Sequence, residues 1–202
     1  MKALTKKIIL EQQNMRGAVR SAVKDIITIY KNNDEGEFYL PEDINDEEHQ
    51  YDFKNISIAV ELYIEISYNI DDFLLNAEYY PKEDIMAIKI VYNPNNKLKI
   101  LYDMIGELNE LVAHEIRHSH QKTTGSHKLP GDTDDEQGLN YYTKPHEIDA
   151  QYYGFKRMSK ITGKPFEELV RNWFDTHEDI HTLNKKEQEI VIQKLKQGGN
   201  LF

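Results

Sequence analysis

Residues 102–122, with the sequence YDMIGELNELVAHEIRHSHQK, contain the clearest helical pattern of the chain. Apolar side chains recur in it every three or four positions, at Ile105, Leu108, Val112 and Ile116. This spacing places them on one face of an α-helix, and His114, Glu115 and His118 fall on an adjoining stripe. We therefore predict an amphipathic helix from Tyr102 to Gln121.

Two histidines and a glutamate in this helix form an HExxH motif, His114-Glu115-Ile116-Arg117-His118. Residues four apart lie on one helical face, about 5–6 Å from each other, so His114 and His118 can direct imidazole nitrogens at one tetrahedral ion. Glu115 lies one step round the helix, where it can accept a proton from water as a general base. The motif predicts one catalytic Zn²⁺ held by the two histidines, with Glu115 as the catalytic residue.

A catalytic zinc ion usually has three protein ligands, so a third must come from another element. We assign this role to Glu147, in the first turn of the next predicted helix. Ala150 and Gly154 follow Glu147 on the same helical face, and small residues there allow close approach to the first helix. His146 and Asp149 remain alternative ligands.

Further polar side chains near the motif are assigned supporting roles. Gln151 is expected to hydrogen-bond a ligand imidazole, and Arg117 to form an ion pair on the helix surface. A group that stabilises a developing oxyanion is expected from the segment that precedes Glu147, which offers Tyr142 and His146. The sequence does not choose between these two and three further candidates, Tyr141, Tyr152 and His127.

The chain before the motif is predicted to form one helix and a small sheet. The first helix runs from Leu4 to Tyr30, where apolar residues recur at helical spacing. Apolar and polar residues alternate from Ile56 to Tyr68, as in a half-buried strand. Two more strands are predicted, Phe73 to Tyr79 and Ile85 to Tyr92, and the turn residues between them favour a mostly antiparallel sheet.

The chain after the motif is predicted to be helical. Helices are expected from Pro145 to about Ser159, from Thr162 onward, and from a cap at Asn184 to about Lys196. The fold class is therefore α+β, with a single domain over residues 1–202. Its parts are an N-terminal helix and acidic loop (1–55), a sheet with the metal site (56–160) and a helical tail (161–202).

Composition limits the partners that this chain is expected to have. The 202 residues carry a formal net charge of −10, which disfavours binding to nucleic acid and to anionic lipid. There are no cysteines, which excludes disulfides and a thiol nucleophile. We find neither a signal-peptide pattern nor a membrane-spanning apolar run, and expect a cytoplasmic protein of undetermined oligomeric state.

Two motifs of this sequence resemble those of zincin metallopeptidases in which a glutamate is the third ligand, the gluzincins. They are the HExxH sequence and the element Glu147-Ile148-Asp149-Ala150, a Glu-x-x-Ala pattern. The segment HEIRHSHQ, followed by PHEIDAQYYGF, also resembles the sequences of small metallopeptidases of tailed bacteriophages. The metzincin pattern is not met, because Gln121 and Thr124 stand where Gly and His are needed.

The resemblance implies a zincin-like fold and a zinc-dependent peptidase that acts on a peptide or protein substrate. It implies zinc on the two histidines and Glu147, with Glu115 as base. It also implies an edge strand that binds the substrate as an added strand, for which Ile85 to Tyr92, with Ile88 and Ile90, is the candidate. The alternative is a non-catalytic binding module with the same fold.

Overall fold

A computed structural model describes residues 2–40, 58–126, 138–178 and 181–198, and side chains from Met15 onward. Its helices are α1 Lys2–Asn32, α2 Leu101–Thr124, α3 Gly138–Tyr142, α4 Pro145–Thr162, α5 Phe166–Thr176 and α6 Lys185–Gly198. Its strands are β1 Gly36–Leu40, β2 Ala59–Ile66, β3 Phe73–Tyr80 and β4 Ile85–Tyr92. The predicted acidic loop at 43–52 and the candidate His127 lie outside the described residues.

The four strands form one mixed sheet in the order β1-β2-β4-β3. The β1–β2 and β3–β4 pairs are antiparallel, whereas β2 and β4 are parallel, with Leu62 opposite Ile88 and Ile64 opposite Ile90. Two of the three strand pairs are antiparallel, as predicted, but the parallel pairing of β2 with β4 was not predicted. The α+β class is confirmed.

The prediction that Ile88 and Ile90 lie on an edge strand is wrong. Their strand, β4, lies between β2 and β3, and both side chains are completely buried. The strand sequence IMAIKIVY is almost continuously apolar, as is typical of a strand in the middle of a sheet. At the β4 end of the sheet the edge strand is β3, in which every second side chain is exposed.

One hydrophobic core lies between the sheet and helices α1 and α2. It includes residues from every layer, among them Val19, Ile26, Leu62, Ile88 and Leu108. A second cluster joins α4, α5 and α6 through Phe155, Val170, Phe174 and Leu195. Helix α2 packs against α1, β3 and α4, so most of its circumference is covered by protein.

The predicted helices are present, but the one expected from Thr162 begins at Phe166, because Thr162 is the last residue of α4. Several helix ends have local causes. Pro145 occupies the first turn of α4, where its missing N–H is tolerated, and the left-handed Gly163 ends the helix. The Asn184 side chain accepts from two backbone N–H groups of α6, as expected for a cap. Strand β1 and the short helix α3 were not predicted. Among the described residues, no helix combines the length and apolar character needed to cross a membrane.

Candidate metal centre

Helix α2 carries a polar stripe into the interior of the protein. Glu110, Glu115 and His118 are all buried, and only a small fraction of the His114 side chain is exposed. Buried polar and charged groups are costly unless they are paired with each other or with an ion. The stripe faces α4, the helix with which α2 makes its most extensive contact, so the partners must come mainly from there.

Three donor groups from α2 and α4 converge on one point. His114 Nε2 and His118 Nε2 are 2.9 Å apart. Glu147 Oε2 is 3.5 Å from His114 Nε2, and Glu147 Oε1 is 3.5 Å from His118 Nε2. Tetrahedral zinc with bonds of about 2.0–2.1 Å places neighbouring donors about 3.3–3.4 Å apart. The three side chains therefore form a group that could hold a metal ion.

The electrostatics of this group also fit a cation. Burial lowers the pKa of His114, but the carboxylates of Glu115, Glu147 and Glu110 outweigh it and raise that pKa to about 9. Burial acts to raise the pKa of Glu147, yet the two histidines hold it far below its usual range. Glu147 Oε2 is buried without a hydrogen bond among the described residues. A divalent ion would satisfy this oxygen and replace the proton on His114.

The two helices that carry the candidate ligands approach closely because α4 has a glycine at the crossing. A Cβ at Gly154 would lie 2.7 Å from Glu110 Oε1 and 2.9 Å from the backbone oxygen of Glu110. Ala150, one turn earlier, is fully buried. The small residues expected to allow close approach thus lie in the interface, and Glu147 reaches the histidines from the same helix.

Glu115 lies beside the donor group without belonging to it. Its Oε1 is 3.9 Å from His114 Nε2, and the side chain is buried. Burial raises the pKa of Glu115, and Glu147 adds to the increase, while the two histidines and a hydrogen bond from the Tyr79 backbone oppose it. A carboxylate with a raised pKa next to a metal site is suited to proton transfer.

The chain was compared with family models, with curated proteins and with solved structures, and none of the three comparisons gives a match. The likeness to gluzincins is therefore carried by two short motifs.

The alternative ligands are not in the donor group. Asp149 accepts from Arg117 through both carboxylate oxygens, at 2.7 and 3.0 Å. His146 Nε2 lies 3.5 Å from Glu147 Oε1, but it is not part of the group whose donor atoms all lie within 4.8 Å of one another. The expectation that Arg117 pairs on the helix surface is wrong, because its partner is a buried residue of α4 and the pair links the two helices.

The glutamine that contacts a ligand imidazole is Gln121, not the predicted Gln151. His118 Nδ1 contacts Gln121 Oε1 at 2.9 Å, whereas Gln151 is a buried residue of α4. A role for Gln151 beside the other imidazole, that of His114, stays a prediction. Gln121 could have been found from the sequence, since it lies three residues after His118 on the same helical face.

Of the two adjacent tyrosines, Tyr141 has the stronger link to the site. Burial first, and then the charges of Glu147 and Glu115, raise the pKa of Tyr141 far above its usual range. Tyr142, the predicted candidate, packs edge-on against Trp173 and Phe174 in the second core cluster. The charge of Glu147 raises the pKa of both hydroxyls, but the Tyr142 ring is held mainly by aromatic packing.

Proposed function

We propose that this protein is a zinc-dependent peptidase that hydrolyses peptide bonds. The observation that carries the proposal is the convergence of His114, His118 and Glu147 beside a buried, non-ligating Glu115. Two imidazoles and one carboxylate are a donor set of catalytic zinc sites, which leave a fourth position open. The gluzincin resemblance of both motifs agrees with this assignment.

Glu115 is the proposed general base. A bound zinc ion would supply Lewis acidity toward water and toward a peptide carbonyl. Glu115 would take the proton of the attacking water and deliver it to the leaving amine nitrogen, and its raised pKa makes it a stronger base toward that proton. A non-catalytic binding module, the alternative, has no need for a carboxylate in this position.

Tyr141 is the proposed oxyanion-stabilising residue, in place of Tyr142. A neutral phenol can donate a hydrogen bond, and the raised pKa of Tyr141 keeps its hydroxyl protonated across the working pH range. Tyr141 interacts with Glu147, so its hydroxyl would lie beside a bound ion and could donate to a negatively charged substrate oxygen.

Strand β3 is the proposed substrate-binding edge, in place of β4. The hydrogen bond from the Tyr79 backbone to Glu115 brings the end of β3 to the catalytic base. In an antiparallel strand the N–H and C=O of one residue point to the same side, and residues two apart share that side. Leu75 and Ala77 therefore present main-chain groups on the same free edge as Tyr79, where a peptide can pair as an added strand.

The decisive experiment replaces Glu115 by glutamine in the full chain. Glu115→Gln should bind zinc with the stoichiometry of the wild type, measured by elemental analysis, but should lose hydrolysis by orders of magnitude. Activity is measured as chelator-sensitive cleavage of a peptide library by mass spectrometry. Glu107→Gln is the matched control, because Glu107 is also a carboxyl of α2 with a pKa raised by burial, to about 7. Full activity in Glu115→Gln, or equal loss in both variants, contradicts the proposal.

A further inference from the structure

Gln121 connects two of the three candidate ligands through one amide group. The residue is fully buried near the end of α2. Its Oε1 is 2.9 Å from His118 Nδ1. Its Nε2 donates to the backbone oxygen of His146 at 2.9 Å and to Asp149 Oδ2 at 2.8 Å. His146 directly precedes Glu147, so the same amide holds the first turn of α4 against α2.

The surroundings permit one orientation of this amide. A backbone carbonyl and an ionised carboxylate can only accept hydrogen bonds, so the two partners on one side require the NH₂ group of Gln121. Oε1 must then face His118, and as an acceptor it requires a proton on His118 Nδ1. In a neutral ring, Nε2 consequently carries the lone pair, and Nε2 is the atom that meets His114 and Glu147.

Arg117 pairs with the carboxylate of Asp149 and fixes its orientation. Its guanidinium binds both carboxylate oxygens from Nε and a terminal nitrogen, with both side chains largely buried. Such a bidentate pair compensates the buried charge and prevents the carboxylate from rotating. The chain of contacts therefore runs from Arg117 through Asp149 and Gln121 to His118.

We infer that Gln121, held by Asp149 and Arg117, is a positioning residue for two metal ligands at once. Its carbonyl oxygen selects the Nδ1–H tautomer of His118, and its NH₂ group fixes the helix turn that carries Glu147. This inference rests on the proposed metal site, but the tautomer itself is a property of the metal-free protein. Partners of this kind outside the ligand set typically change metal affinity by about 10- to 100-fold.

The test substitutes the amide by a side chain of similar length without polar hydrogen-bonding groups, Gln121→Met. Nitrogen NMR of the imidazole rings in the metal-free full chain, at a pH where His118 is neutral, reports which ring nitrogen carries the proton. The wild type should show His118 protonated on Nδ1, and Gln121→Met should shift it toward Nε2. Zinc affinity, measured by chelator competition, should fall by about 10- to 100-fold.

Two further variants separate positioning from simple loss of packing. Asn109→Leu is the matched control: Asn109 is a buried amide of α2 that also reaches α4, through Arg157, but contacts no ligand. It should leave the His118 tautomer and zinc affinity unchanged. Gln121→Glu keeps an acceptor for Nδ1 and removes both donated bonds, so it should retain the tautomer and bind zinc with intermediate affinity.

Several outcomes overturn the inference. They are a neutral wild-type His118 protonated on Nε2, a Gln121→Met protein with unchanged tautomer or unchanged affinity, and an equal change in Asn109→Leu. The first needs no variant, so it applies even where a substitution prevents folding. If the wild type binds no zinc while the tautomer depends on Gln121, the peptidase proposal fails and the positioning of His118 stands.

Discussion

A methyl group added at Gly154 should separate the two helices that form the candidate metal site. The new Cβ would stand 2.9 Å from the Glu110 backbone oxygen, and ordinary contacts are 3.4 Å or longer. A backbone atom cannot rotate away as the Glu110 side chain can, so α4 must shift by about 0.5 Å. Overpacking of this kind costs about 1–3 kcal/mol, while alanine gains about 1 kcal/mol over glycine inside a helix.

Taking the middle of that overpacking range and subtracting the helical gain, we expect Gly154→Ala to lose about 1 kcal/mol of stability, and at most about 2 kcal/mol. This lowers Tm by roughly 2–4 °C, and at most about 8 °C, in a protein of this size. Zinc affinity should fall as well, because Glu147 lies two turns away on the helix that moves. Both quantities are measured on the full chain, by thermal unfolding of the metal-free protein and by chelator competition.

Gly17 supplies the matched control for this substitution. It lies on the exposed side of α1, and nothing stands within 4 Å of the position that its Cβ would take. Gly17→Ala should therefore raise stability by about 0.4–1 kcal/mol, through the unfolded chain, without changing zinc affinity. A Gly154→Ala protein as stable as the wild type would refute the close-approach argument, as would the same sign for both variants.

Three further predictions concern the site. The folded-state pKa of His114 is raised from 6.5 to about 9, so its contribution to metal-free stability is complete below pH 6.5 and is lost as pH rises through about 9. Unfolding titrations should show a loss of at most about 3 kcal/mol over this range. Zinc affinity should increase over the same interval, because the competing proton leaves. Glu147→Gln should weaken zinc binding more than Asp149→Asn does, by equilibrium dialysis; the reverse order would make Asp149 the ligand. Tyr141→Phe should lower kcat by about 100-fold or more with little change in KM, and Tyr142→Phe should not; equal kcat values for the two variants would exclude Tyr141 from oxyanion stabilisation.

The local parts of this structure follow from the sequence. Helical periodicity alone places His114, Glu115 and His118 on one side of α2, because the i,i+4 geometry needs no tertiary information. Glu147 lies on a separate helix, and its assignment depended on the small residues that follow it and on the gluzincin resemblance. Those small residues do lie at the crossing of α2 and α4.

The parts that the sequence did not predict depend on contacts between distant segments. Strand β4 lies inside the sheet because it pairs with β2 on one side and β3 on the other, and alternation within one strand does not report which strands pair. The charge of Arg117 likewise suggests a surface position, but its partner Asp149 on the distant helix α4 holds it largely buried. Tyr141 and Tyr142 differ in what they contact, and two neighbouring tyrosines cannot be told apart by residue type.

The three candidate donors come from two helices, and His114 and Glu147 are 33 positions apart in the sequence. An unfolded chain does not hold them together, so the ion should associate with the native state alone. Each tenfold excess of free zinc over Kd then adds about 1.4 kcal/mol to the unfolding free energy. The midpoint of thermal unfolding would thus report the concentration of free zinc around the protein.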